Sequence, residues 1–224
     1  LTSDHVHDLD AMAAAIRPDT TVVYVCNPNN PTGSHVSADA LGSFVERVPD
    51  DVLVIVDEAY QEYVTATDYA TALPLVAGRT NVVVVRTFSK IHGLAALRVG
   101  YAIGAPETIS LLRKPQAPFT VSSLGQAAAV ESLRHPGELE RRRRENAAGR
   151  QVIEDGLREL GVEYVPSQAN FVLARFRDAA RGGWDLIRSR RAASPARRCG
   201  SRPPCARQRR RTRPAPRPPH AGRP

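Results

Sequence analysis

The chain is expected to fold as an α/β protein, with a mostly parallel sheet covered by helices and then the start of a small α+β domain. Three observations carry that expectation. Residues 52–56 (Val-Leu-Val-Ile-Val) and 81–86 (Asn-Val-Val-Val-Val-Arg) are continuous apolar runs rather than alternating ones, the mark of strands buried on both faces. Helix-period segments separate them, as in a parallel sheet with crossover helices. Chemically distinctive residues begin where strands stop, at Asn27, Asp57 and Thr87, and open α/β sheets bind ligands beyond the carboxyl ends of their strands.

The elements follow in order. Leu9, Met12, Ala13 and Ile16 recur at helical spacing over residues 9–17, and Pro18 closes that run. Residues 21–26 are a short β-branched strand ending at a turn-rich Asn/Pro/Gly segment. Ser37 reads as the N-cap of a helix through Val48, with Leu41, Phe44, Val45 and Val48 as its apolar stripe. After the strands at 52–56 and 81–86, residues 101–104 give one more strand. Helices follow at 106–112 and 122–133, then a long one at about 137–160 capped by Gly161. The long helix leads to a second domain begun by residues 162–165 and 170–176, and residues 184–188 read as an amphipathic helix. The expected division is a partial large domain over 1–135, the long connecting helix with an incomplete small domain over 136–188, and a tail over 189–224.

Charge separates that tail from the body. The 224 residues carry a net charge of +8, but residues 188–224 hold 13 of the 31 basic side chains and no Asp or Glu. The remainder has 18 basic against 23 acidic residues, a net −5. The tail is almost wholly Arg, Pro, Ala, Ser, Gly and Cys, too poor in apolar surface to offset the entropy of ordering, so disorder is expected. Its reading as a nucleic-acid-binding arm, non-specific at most, competes with its reading as an out-of-frame translation of a GC-rich gene. Three cysteines without an even framework argue against a disulfide-stabilised secreted domain. No stretch is apolar enough to span a membrane and residues 1–5 do not read as a signal peptide, so the expected compartment is the cytoplasm. There is no metal-ligand spacing of His, Cys and Asp, and no glycine-rich phosphate loop of the nucleotide kind. Arg141 to Arg144, flanked by Glu138, Glu140 and Glu145, read as the solvated face of the long helix.

The strand ends carry Asn27-Pro28-Asn29-Asn30-Pro31-Thr32-Gly33, Val56-Asp57-Glu58-Ala59-Tyr60 and Thr87-Phe88-Ser89-Lys90, with Arg98 eight residues beyond Lys90. Singly, each has an ordinary reading: a tight turn, a helix N-cap at Asp57, a core tyrosine at Tyr60, surface cations at Lys90 and Arg98. Together and in this order they resemble the fold-type I, pyridoxal-phosphate-dependent aminotransferases (class I/II), most closely the histidinol-phosphate aminotransferase branch. The resemblance covers about residues 1–188, and Gln168 to Leu173 is similar to the opening strand of that family's small domain.

The resemblance implies pyridoxal 5'-phosphate as cofactor, with Lys90 forming the Schiff base and then serving as proton shuttle. Asp57 would pair with the ring nitrogen and maintain the electron sink. Asn30 and Tyr60 would contact the ring hydroxyl, and Thr87, Ser89 and Arg98 the phosphate. Glu58 and His92 are expected to support the structure. The implied reaction moves an amino group between histidinol phosphate, or a related amino acid, and 2-oxoglutarate, in a homodimer. An aromatic amino acid aminotransferase is the runner-up and a threonine-phosphate decarboxylase-like activity a third. The family's N-terminal arm and its stacking aromatic have no counterpart before Leu1, and its carboxylate-binding arginine is replaced by the tail. A rival expectation is therefore a non-catalytic fragment that binds anions through that tail.

Overall fold

Each strand of the main sheet comes from a run already apolar in sequence. The computed structural model describes residues 1–176 and the backbone of 183–188; the tail and the expectations placed on it lie outside the described residues. Strands β1 (Val22–Cys26), β2 (Leu53–Asp57) and β3 (Val82–Thr87) run parallel in that order, and β4 (Gly100–Gly104) adds an antiparallel neighbour to β3. The mostly parallel α/β sheet expected from the sequence is present, and all described residues belong to one compact unit.

Local chemistry sets the helices. In α1 (Leu9–Ala14) the Asp8 carboxylate accepts from Ala11 N, and the helix stops short of residue 17 because Pro18 disfavours helical backbone at its predecessor. In α2 (Ala38–Arg47) the Ser37 hydroxyl accepts from Ala40 N at 3.2 Å, as an N-cap should. The six-residue α3 (Leu73–Gly78), with Pro74 in its first turn, is too short to show a period and is absent from the sequence reading. Next come α4 (Pro106–Arg113) and α5 (Ser123–Leu133), the latter capped by Ser122 on Gly125 N at 3.0 Å. The long α6 (Pro136–Glu159) ends at Leu160, and Gly161 leaves it with φ 65°, the left-handed exit that glycine supplies.

The main core lies on one sheet face. Leu9 of α1 and Leu41, Phe44 and Val45 of α2 pack on Val25, Val54, Val56, Val82 and Val84. Fully burying a side chain such as Phe44 or Leu41 contributes about 1.5–3 kcal/mol. The sequence reading expected both faces covered. Among the described residues that fails at the outer strands, where Val22, Tyr24 and Tyr101 are 48, 50 and 38% exposed. The continuous apolar run describes β3, whose first three residues are buried; β2 alternates half-buried and buried, and β1 alternates exposed and buried because its outward face meets no described element.

A second sheet, β5 (Glu163–Val165), β6 (Phe171–Phe176) and β7 (Gly183–Arg188), is antiparallel in that order. The amphipathic helix expected at 184–188 is therefore a strand. A run that short does not distinguish helix from strand by period, and β6 offers a free edge that β7 satisfies from Phe171↔Arg188 to Phe176↔Gly183. No described helix is long and apolar enough to cross a membrane.

Candidate active site

The carboxyl ends of β1 to β3 lie side by side, with Cys26 opposite Asp57 and Asp57 opposite Val85. Pairing continues one step past the strands, Asn27 N to Asp57 O and Glu58 N to Val85 O, both 2.9 Å. The three chemically rich loops therefore leave the sheet in register.

The first loop is held by its own side chains. Asn27 brackets Val36, donating to its carbonyl at 3.2 Å and accepting from its amide at 3.0 Å. Asn29 Nδ2 donates to Thr32 Oγ1 at 2.8 Å, and Gly33 N to Asn29 O at 2.7 Å. Gly33 has φ 76°, and a Cβ there would lie 2.2 Å from Ser167 Oγ. Its carbonyl accepts from Gln168 N at 2.7 Å, which splices this loop to the turn before β6. The peptides Asn27-Pro28 and Asn30-Pro31 are cis.

Asn30 Nδ2 reaches from the loop to Tyr60 Oη at 3.0 Å. Tyr60 is buried, and its ring carries Lys90 Nζ 4.8 Å from the centroid on one side and meets Phe171 edge-on at 5.3 Å. Thus Asn30, Tyr60 and Lys90, from three separate loops, form one contact chain. Thr87 Oγ1 accepts from Ser89 N at 3.0 Å and donates to Val99 O at 3.3 Å, tying the Lys90 loop to the segment that bears Arg98. Arg98 has left-handed backbone (φ 55°, ψ 47°) and is exposed, and its guanidinium donates to Ala95 O at 2.8 Å.

Asp57 uses both oxygens. Oδ1 accepts from Ala59 N at 2.9 Å, the cap-like bond its sequence context allows, and Oδ2 accepts from the Tyr24 hydroxyl. Partial burial, then the bond to and charge of Asp57, push the Tyr24 phenol well above its ordinary pKa, so Tyr24 stays a donor. Sequence reasoning missed Tyr24, since an aromatic inside an apolar strand reads as core. Its one signal was the hydroxyl two positions before the strand end.

Glu58, 1% exposed, accepts from Arg86 Nη2 at 2.7 Å, from Thr71 Oγ1 at 2.9 Å and from Ala72 N at 2.6 Å. This ion pair clamps the end of β2 to the end of β3, beside Asp57 and Thr87, in keeping with the supporting role expected of Glu58. His92, which has no evident partner in the sequence, has its Nδ1 2.7 Å from Ser132 Oγ and its ring tilted on Phe88. Burial, then the nearby Arg142, lower its pKa. The arginine run of α6 departs from its expected solvated character. Arg141 and Arg144 face outward to Glu138 and Glu140, whereas Arg142 donates to Ile91 O at 2.8 Å and Arg143 Nε to Val64 O at 3.1 Å. A run of like residues conceals this split, because helical rotation turns successive residues to different neighbours.

Residues 2–198 match the family described as aminotransferase class I and II. The chain belongs to that family. Among its relatives, a histidinol-phosphate aminotransferase of Moorella thermoacetica is 47% identical over 188 residues, covering 84% of this chain and 48% of that protein. An aromatic amino acid aminotransferase of Mycolicibacterium paratuberculosis is 52% identical over 169 residues, covering 75% and 48%. The chain spans about half the length of the curated relatives it matches. Of solved structures, histidinol-phosphate aminotransferase from Sinorhizobium meliloti in complex with pyridoxal-5'-phosphate superposes with a TM-score of 0.74 at 33% identity, covering 80% of this chain and 48% of that one.

Proposed function

We propose that the chain carries the cofactor site of a pyridoxal-phosphate-dependent aminotransferase, acting between histidinol phosphate, or a related amino acid, and 2-oxoglutarate. The observation that carries the reading is the Asn30–Tyr60–Lys90 contact chain beside the Asp57 carboxylate at the strand ends. These residues fit the cofactor's donor and acceptor needs. Lys90 offers an amine, Asp57 an acceptor for a ring N–H, and Asn30 and Tyr60 donors for a phenolic oxygen. Thr87, Ser89 and Arg98, on adjoining backbone, offer hydroxyls and a guanidinium for a phosphate. When bound, the cofactor supplies an aldehyde and an electron sink.

The protein's share is positioning and proton transfer. Lys90 Nζ is the base that takes and returns the substrate α-proton. Tyr60, fixed by Asn30 and Phe171, shapes one side of the pocket around that amine. Residues 1–135 act as the large domain and 136–188 begin the small one. The same reading includes a homodimer working in the cytoplasm, and sedimentation of the purified chain tests the assembly.

The test is borohydride trapping with pyridoxal phosphate followed by peptide mass mapping. The chain's only lysines are Lys90 and Lys114, so Lys114 is an internal control. An adduct at Lys90, absent from Lys114 and abolished in Lys90→Ala, is expected; equal labelling of both lysines, or none, refutes the reading. The aromatic amino acid alternative is favoured by the 52% identity to the Mycolicibacterium paratuberculosis enzyme, and faster amino transfer from phenylalanine than from histidinol phosphate decides for it.

A further inference from the structure

We infer that Tyr24 is a positioning residue of the cofactor site, holding the Asp57 carboxylate in the orientation in which it meets the cofactor ring. The inference rests on the pyridoxal-phosphate reading above and adds to it a residue of the edge strand. Tyr24 lies in β1 two residues before Cys26, whose partner across the sheet is Asp57, so its side chain stands diagonally across from that carboxylate. Alternation along β1 sends Val23 and Val25 into the core and Tyr24 to the open face. There it is half-exposed, with its hydroxyl on Asp57 Oδ2. Ala59 N holds Oδ1, so donors from two different strand ends fix the carboxylate in rotation as well as in place.

Two features separate this from a hydroxyl merely finding an acceptor. First, β1 contributes to both functional loops at once: its end leads into the Asn30 loop, while Tyr24 reaches sideways to the end of β2. The spacing between Asn30 and Asp57 is thereby bridged on the ligand side of the sheet. Second, partial burial, then the bond to the carboxylate and its charge, raise the phenol's pKa, so Tyr24 stays a donor at neutral pH. The other titratable groups that bear on the Tyr24 phenol are Cys26 and Tyr60. Because Tyr24 is half-exposed among the described residues, removing its hydroxyl should leave folding nearly untouched.

The experiment compares the unaltered chain with Tyr24→Phe and Asp57→Asn. It uses equilibrium binding of pyridoxal phosphate, the absorbance spectrum of the bound cofactor at fixed pH, and thermal unfolding without cofactor. Tyr24→Phe should weaken cofactor binding about fivefold, the scale of a lost hydrogen bond to a charged group discounted for exposure. It should also shift the ratio of the bound cofactor's absorbance bands in the same direction as Asp57→Asn, with unfolding unchanged. An unaltered affinity and band ratio in Tyr24→Phe, while Asp57→Asn changes both, overturns the role of Tyr24 alone. Absence of specific Lys90 trapping in the unaltered chain overturns the cofactor reading and this inference with it.

Discussion

At the scale of single residues, the strand ends concentrate polar groups that burial has made chemically unusual. Cys26 is enclosed with its thiol on Pro28 O at 3.2 Å, and burial, then the Asp57 charge, push its pKa from 9.0 to about 11. A two-unit rise leaves about a hundredfold less thiolate at pH 8 than an ordinary cysteine has. Mass-mapped alkylation should therefore find Cys26 nearly inert in the native chain at pH 8. Its rate should climb tenfold per pH unit towards about 11, and denaturant should abolish the protection. Glu58 poses the opposite problem, a carboxylate that must stay paired. Glu58→Ala strands Arg86, itself only 14% exposed, and should cost about 3–5 kcal/mol in denaturant unfolding. Glu58→Gln, which keeps an acceptor for Thr71 and Ala72, should cost clearly less. Neither partner announces the pair in sequence, because the two positions stand 28 apart and only the β2–β3 register joins them.

At the scale of elements, what was legible is what local chemistry decides. Ser37 caps the helix it was expected to cap, the helix expected from residue 122 is present with Ser122 as its cap, and the apolar runs became the central strands. Illegible elements are those too short to show a period, such as β7, and those settled by partners distant in sequence, such as Arg142 and Arg143 turning inward from a helix that reads as solvated. The Asn30 loop belongs to both groups: its turn character is written in its prolines and Gly33, but its anchor is not. Gly33 needs to be glycine for two separable reasons. Left-handed backbone costs a non-glycine residue about 1–2 kcal/mol. The added Cβ also collides with Ser167, whose Oγ and Cβ would sit 2.2 and 2.7 Å away. Gly33→Ala should thus lower stability by more than the backbone cost and diminish Lys90 trapping. Adding Ser167→Gly should return the collision part only, a non-additivity measurable in a double-mutant cycle.

At the scale of the whole molecule, the site is where two sheets and the long helix meet. Tyr60, Tyr63 and Ile91, from the segments after β2 and β3, share one buried cluster with Phe171 of the second sheet and Ala169 in the turn before it, and Leu139 of α6 packs against it. Around it, Arg150 Nη1 and Asn146 Nδ2 both donate to Ala169 O, and Gln168 Oε1 accepts from Thr65 N at 2.8 Å. The geometry of Tyr60 therefore depends on residues more than a hundred positions away, which is why a sequence motif can point to Tyr60 but not to what braces it. Leu157 belongs instead to a separate cluster with Val172 and Ala174. Phe171 and Leu157 are equally buried, at 5% exposure, so truncating either to alanine should cost similar stability, about 2–5 kcal/mol. Their effects on the site should differ. Measured under conditions where both variants remain folded, Phe171→Ala should reduce Lys90 trapping per molecule, because it removes the ring that meets Tyr60 edge-on. Leu157→Ala should leave trapping intact. Equal trapping in the two variants would show that the second sheet stabilises the chain without shaping the pocket, and the brace would then have to lie wholly within the strand-end loops.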